Sequence, residues 1–235
     1  MMKQAIKNLS YAVFPKRCGL CGDVIAFDEE LCEECFKLER ITGTLCNKCG
    51  KPKENCTCDR KTKAPEYKRF IAPYYYEGSV RAGANRFKDY GYPELAIKMG
   101  EELFRQIDEQ YKGIAFDCIT FVPMTKEKQK KRGYNQSELL AKEVAKHMNL
   151  PCMQLIAKIK TTPPQKTGSA RKRRINLRGS FDLADGVWVE NKTILLIDDI
   201  KTTGSTLNEC AYVLNAYGAK AVYAAAFCLT ENNRF

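Results

Sequence analysis

Long apolar runs are missing from this sequence. None approaches the roughly 18 residues that a membrane-spanning helix requires, and the N-terminus lacks a signal-peptide pattern. The expected location is therefore the cytoplasm, with the inner face of the membrane as the alternative. Histidine is nearly absent: His147 is the only one. It falls near the end of a helical stretch with no partner in view and is assigned no role. Acidic residues vanish between Lys158 and Phe181. What is present is ample for folding, since 44% of the 235 residues are hydrophobic, enough for a core in one large domain or in a domain with an appendage.

The chain is organised around Thr193-Ile-Leu-Leu-Ile-Asp-Asp-Ile-Lys-Thr-Thr-Gly-Ser-Thr206. Ile194 to Ile197 form a short apolar run of the kind a strand buried on both faces shows. The run is expected to stop at Asp198 and Asp199. A small, hydroxyl-rich loop centred on Gly204 follows, and then Leu207, Ala211, Leu214 and Tyr217 recur at helical spacing until Gly218. Strand, loop and helix in that order put the loop at the carboxyl end of a parallel strand, where open α/β sheets bind ligands. N–H groups at a helix N-terminus attract an anion, and glycine lets the backbone approach it closely. Thr202, Thr203, Ser205 and Thr206 add hydroxyl donors, which makes the loop a phosphate cradle. Two carboxylates beside a phosphate need another task, such as accepting hydrogen bonds from sugar hydroxyls. One phosphate and one diol at that separation describe a ribose 5-phosphate.

Eight of the 12 cysteines fall in four close pairs: Cys18 with Cys21, Cys32 with Cys35, Cys46 with Cys49, and Cys56 with Cys58. Repeated Cys-x-x-Cys spacing lets thiolates from a tight turn meet one tetrahedral Zn²⁺. Two structural sites account for all eight, in serial or interleaved pairing, with iron as the alternative metal. Disulfides are disfavoured in a cytosolic chain, and a lobe this short needs its metal to fold. Cys118, Cys152, Cys210 and Cys228 sit singly in apolar contexts and are expected in the core. Three regions are expected: residues 1–15, an amphipathic helix with Met2, Ile6, Leu9 and Val13 one turn apart; 16–63, a double zinc ribbon; and 64–235, the α/β domain, entered through the linker Lys61 to Pro65.

Positive charge is concentrated in one region. Residues 64–178 carry 23 basic and 12 acidic side chains, a surplus equal to the net charge of +11 of the whole chain. Tyr74 to Tyr76 and Asp117 to Val122 read as strands, and Gly78 to Asp89, Glu94 to Gln110 and Ser137 to Met148 as helices. Between the second strand and the last helix lies a basic loop with Lys126, Lys128, Lys130, Lys131 and Arg132, ahead of Gly133-Tyr-Asn-Gln136. A second cluster, Thr161-Thr-Pro-Pro-Gln165 through Arg171-Lys-Arg-Arg174, Asn176 and Arg178, reads as a mobile loop that closes over a polyanion, with single-stranded nucleic acid as another ligand.

The Asp-Asp-Ile-Lys-Thr-Thr-Gly-Ser-Thr stretch resembles the phosphoribosyl-pyrophosphate (PRPP) signature of type I phosphoribosyltransferases. Val122-Pro123, Arg132-Gly-Tyr-Asn-Gln136, Gln165, Arg173-Arg174, Asn176 and Phe181, in that order behind a cysteine-rich N-terminus, resemble the ComF family over nearly the whole chain. One departure is Gly168, where the family usually carries leucine. The resemblance implies a type I phosphoribosyltransferase fold, a parallel sheet flanked by helices, behind an N-terminal double zinc-ribbon lobe. It implies PRPP with Mg²⁺ as ligand: Asp198 and Asp199 on the ribose hydroxyls, Thr202, Thr203, Gly204, Ser205 and Thr206 on the 5-phosphate. Lys128 and Arg132 would meet pyrophosphate, and Gln165, Arg173, Arg174 and Asn176 would form the flexible hood. It also implies support of natural transformation, with incoming single-stranded DNA, a helicase and recombination-mediator proteins as partners. Two other functions stay open: a transferase acting on an unidentified acceptor, and a PRPP-sensing regulator without catalysis. No residue in the sequence marks an acceptor pocket.

Overall fold

The structure is a computed structural model that describes residues 15–58, 64–159 and 179–231. The expected N-terminal helix, most of the linker and the whole Thr161–Arg178 cluster lie outside the described residues.

A parallel sheet carries the α/β part. Its centre is β6 (Thr193–Lys201), with β7 (Ala221–Leu229) on one side and β3 (Cys118–Phe121) on the other. Two short strands, β1 (Phe70–Ile71) and β2 (Tyr74–Tyr75), lie end to end along β7. They are separated by Pro73, which has no N–H to give a ladder. Ile194 to Ile197 of β6 are wholly buried, as a strand covered on both faces requires. The strand does not stop at the aspartates. It pairs on with β7 through Ile200–Cys228 and Lys201–Leu229, because the partner strand is long enough to hold it.

Helices close both faces. α2 (Gly78–Asp89) and α3 (Leu95–Gln110) follow the edge strands, and α5 (Gln136–Met148) follows β3. α3 packs on α5 and on β7, α5 packs on β3 and β6, and α6 (Ser205–Ala216) covers β6 and β7. A two-stranded antiparallel sheet, β4 (Ile156–Lys158) with β5 (Phe181–Leu183), stands off the main sheet against α6. The basic stretch expected as a loop is a helix, α4 (Lys126–Arg132). Lysine, glutamate, glutamine and arginine are good helix formers. The Thr125 hydroxyl caps the start by accepting the Lys128 N–H at 3.3 Å, and Gly133 ends it in the left-handed region at φ 89°. His147 also differs from expectation: its ring stacks on Phe104 with centroids 4.9 Å apart. Cys118, Cys210 and Cys228 are buried as expected, whereas Cys152 is half-buried.

The cysteine-rich lobe, with its single helical turn α1 (Glu33–Phe36), is fused to this domain through one core. Leu20, Ile25, Ile41 and Leu45 are buried together with Phe70, Phe87 and Leu103. The Ile41 N–H donates to the Pro73 carbonyl at 2.7 Å, and Gln106 Nε2 donates to the Ile41 carbonyl at 2.7 Å. Arg86 of α2 donates to the Cys21 carbonyl at 2.6 Å and pairs with Asp23 at 2.7 Å. No helix among the described residues is long and apolar enough to cross a membrane.

Candidate functional site

Two four-sulfur clusters form in series. Cys18, Cys21, Cys32 and Cys35 make one, and Cys46, Cys49, Cys56 and Cys58 the other, with all sulfurs of a cluster within 4.8 Å of one another. Cys21 and Cys32 sulfurs stand 3.6 Å apart, and Cys49 and Cys56 sulfurs 3.5 Å. A tetrahedral Zn²⁺ with Zn–S bonds near 2.3 Å sets its ligands about 3.8 Å apart, so both clusters fit zinc. Gly22 and Gly50 follow two of the Cys-x-x-Cys turns at φ 80° and 82°, the left-handed geometry that closes a zinc knuckle. Hydrogen bonding with Cys21 drives Cys18 far below the ordinary thiol range, while the bond to Cys18 pushes Cys35 up to about 12. Four crowded sulfurs cannot all ionise without a cation among them.

The second site lies at the carboxyl edge of the sheet. β3 and β6 are adjacent and parallel, with Phe121 opposite Ile197, so the chain after Phe121 and the Asp198–Thr206 stretch leave from the same edge. Asp198 is buried at 8% exposure, whereas Thr202, Thr203, Ser205 and Thr206 are exposed. Burial raises Asp198 well above the usual carboxylate range, the neighbouring Asp199 adds to the rise, and a hydrogen bond from Ser137 opposes it. Ser137 Oγ donates to Asp198 Oδ1 at 2.9 Å, and the Asp199 N–H donates to the same oxygen at 2.9 Å. Ser137 is held there by the start of α5, where its N–H donates to the Asn135 side chain at 3.1 Å. Asn135 in turn donates to the Val122 carbonyl at 3.0 Å. The Gly-Tyr-Asn-Gln turn and the Asp pair are thus one bonded unit.

The hydroxyl loop is shaped by Gly204, which precedes α6 at φ 79°. Thr203 and Ser205 hydroxyls lie 2.8 Å apart, and the Ser205 N–H donates to Thr203 Oγ1 at 3.3 Å. The first turn of α6 supplies N–H groups and the positive end of its dipole. Arg132 and Lys128 differ in their situation. Arg132 donates to the Gln136 side chain at 2.9 Å and pairs with Asp89 at 3.2 Å, whereas Lys128 is exposed along with Lys126, Lys130 and Lys131. Gln165, Arg173, Arg174 and Asn176 lie outside the described residues.

Sequence reasoning missed Ser137 and Lys201. Ser137 directly follows the Gly-Tyr-Asn-Gln turn, a position that marks a helix start but not a contact to Asp198. Lys201 reads as a loop cation, yet it ends β6 at 1% exposure, and burial lowers it to about 8. Away from this edge, a cleft of about 700 Å³ runs between the first cysteine cluster and α3, lined by Glu29, Glu30, Phe36, Arg40, Lys98 and Glu102. Its mixed charge and lack of a hydroxyl-rich loop set it apart from the phosphate edge.

Two family models match the chain: a double zinc ribbon domain over residues 9–65 and a phosphoribosyl transferase domain over residues 135–234. With the parallel sheet and the two Cys₄ clusters, they define a type I phosphoribosyltransferase fold that carries an N-terminal zinc ribbon. Competence protein F of Haemophilus influenzae is 36% identical over 225 residues, which cover 94% of this chain and 85% of that protein. Competence protein ComFC of Bacillus subtilis is 28% identical over 87% of this chain and 85% of its own length. DNA utilization protein YhgH of Escherichia coli is 28% identical over 92% of this chain and 98% of its own length. The chain belongs to the ComF family of competence proteins.

Proposed function

We propose that this protein binds PRPP with Mg²⁺ at the carboxyl edge of its sheet and assists the handling of incoming single-stranded DNA in natural transformation. The carrying observation is the convergence at one edge. Asp198 and Asp199, the hydroxyl loop and the lysines of α4 all leave adjacent strands together, and Ser137 ties the two parts at 2.9 Å. In this reading Asp199, with Asp198 behind it, accepts from the ribose hydroxyls. Thr202, Thr203, Ser205, Thr206 and the first turn of α6 hold the 5-phosphate.

Lys128 and its neighbours on α4 meet the pyrophosphate, while Arg132 braces the turn through Asp89 and Gln136. Mg²⁺ bound together with the pyrophosphate would neutralise part of its charge. The hood formed by Gln165, Arg173, Arg174 and Asn176 is part of the same proposal. DNA handling draws on the +11 surplus of residues 64–178, on the exposed α4 lysines beside the phosphate edge, and on relatives described as competence and DNA utilization proteins. A helicase and recombination mediators are the partners expected there.

The test is calorimetric titration with PRPP and Mg²⁺, with and without a labelled single-stranded oligonucleotide. Binding on the order of micromolar, competition by the oligonucleotide, and steep salt dependence of the DNA arm are expected. PRPP binding with pyrophosphate released on addition of free bases would move the protein to the transferases. No heat with PRPP would overturn the assignment of the edge.

A further inference from the structure

The phosphate loop and the second Cys₄ cluster share a wall. Lys201 ends β6 and is one of the largest fully buried side chains. It runs back beneath the loop: a Cβ added at Gly204 would lie 2.9 Å from Lys201 Cε and 3.6 Å from both Lys201 Nζ and the Tyr67 hydroxyl. Lys201 Nζ stands 4.8 Å from the centre of the Phe70 ring. Both aromatic residues belong equally to the metal side. The Tyr67 hydroxyl donates to the Lys48 carbonyl at 3.0 Å, inside the Cys46–Cys49 turn. The Phe70 N–H donates to the Asn47 carbonyl at 3.1 Å. Gly50, which closes the turn, has no room for a side chain, since a Cβ would fall 2.6 Å from the Phe70 ring. Among the described residues the first cluster has no such neighbour; Lys98, Arg86 and α2 lie against it instead.

We propose that Lys201 is a positioning residue for the phosphate loop, through which zinc at Cys46, Cys49, Cys56 and Cys58 and a phosphate-bearing ligand at the loop favour each other's binding. The inference rests on the reading of the loop as a PRPP site. Four thiolates around Zn²⁺ leave a net negative site, and a buried ammonium on its flank is held in place by that charge. Lys201 then carries the underside of the loop in one position, with Gly204 resting on its methylenes. Losing the metal frees the Cys46–Cys49 turn, and with it Tyr67, Phe70 and the floor under Gly204. Coupling between two sites is reciprocal, so a ligand that prefers the braced loop must also tighten the metal by the same factor.

The experiment uses the full-length, zinc-loaded protein and a chromophoric zinc chelator that reads the release of each metal equivalent. It is run with and without PRPP and Mg²⁺, with PRPP binding measured separately by calorimetry. One of the two zinc equivalents is expected to become about tenfold harder to withdraw when PRPP is saturating, while the other is unaffected. Lys201→Met, an apolar side chain of similar length, is expected to keep both metals and to lose the protection even when PRPP is saturating. A purely structural lysine would not abolish that ligand dependence. Should Lys201→Met fail to fold, Tyr67→Phe, which removes only the hydroxyl bridge to Lys48, is expected to reduce protection below about threefold. Bound PRPP with both zinc equivalents withdrawn at the same equilibrium chelator concentration as before overturns the coupling alone. So does unchanged protection in the variant used. An absence of PRPP binding in the wild type overturns the underlying reading, and this inference with it.

Discussion

The zinc ribbon and the carboxyl edge of the sheet obey local rules to very different degrees. In the ribbon Cys18 with Cys21 and Cys46 with Cys49 sit in tight turns closed by left-handed glycines, Cys32 and Cys35 flank the start of α1, and the ligand sulfurs converge as zinc requires. At the edge the same chain buries Asp198 beside a second carboxylate and buries Lys201 at a strand end. It also starts a helix from a left-handed glycine that offers no side-chain cap. Burying an ionisable group costs stability unless it is paired and hydrogen-bonded, and such groups cluster at functional sites. The ribbon therefore stabilises, and on the proposed reading the edge gives up some of that stability to ligand binding.

Removing the metal is the strongest way to break this contrast. Because structural zinc contributes on the order of 10 kcal/mol to the folding of small ribbons, chelation is expected to unfold residues 16–58 and expose the shared face of Phe70 and Phe87. Metal analysis checks the premise: two zinc ions per chain in the wild type, matching the two clusters, and one in Cys21→Ser. Protein prepared without chelator but carrying no metal would end the ribbon account.

A single substitution at the edge is expected to act in the opposite direction. Asp198 holds its proton more tightly folded than unfolded, because burial, with Asp199 beside it, raises it. Stability is therefore highest below the unfolded carboxylate value and falls as pH rises through the range up to the folded one. At neutral pH the ionised form is a cost. Asp198→Asn removes that cost and keeps an oxygen to accept from Ser137. It is expected to raise stability at pH 7 by about 1 kcal/mol, to flatten the pH dependence of the melting temperature, and to abolish PRPP binding. A variant that melts lower at pH 7 than the wild type would show that Asp198 is compensated by something other than its ligand.

How much of this was legible follows the same division. The ribbon could be read almost directly, since ligand spacing and the glycines at positions 22 and 50 are local signals. α2 emerged over Gly78–Asp89, the stretch that reads as a turn into a helix, and the order strand, hydroxyl loop, helix announced the edge. The length of β6 was hidden, because residues 198–201 are held by pairing with Ala226 to Leu229, which no local pattern reveals. α4 was masked by its own charge: a run of lysines reads as a solvated loop, although Thr125 and Gly133 bracket it as caps. The β4–β5 sheet pairs strands of three residues each, too short for a period of two to stand out. Ser137 and Lys201 are ordinary in sequence and acquire a role only from what the fold brings against them.

Ser137 offers the smallest and sharpest probe of the edge. Its hydroxyl is the link from the start of α5 to Asp198, and by donating to the carboxylate it favours the ionised form. Ser137→Ala removes one hydrogen bond, so the expected loss of stability is about 1 kcal/mol or less. The informative effect is on binding. With the donor gone, Asp198 holds its proton more tightly, and the pH at which PRPP affinity reaches its plateau is expected to move up. Affinity at pH 7 is expected to fall by a factor of about ten. Ser137→Thr keeps the hydroxyl and is expected to restore most of both. An unchanged pH profile in Ser137→Ala would mean that the ionisation of Asp198 does not govern ligand binding. The buried carboxylate would then serve the turn it is bonded to rather than the ligand beside it.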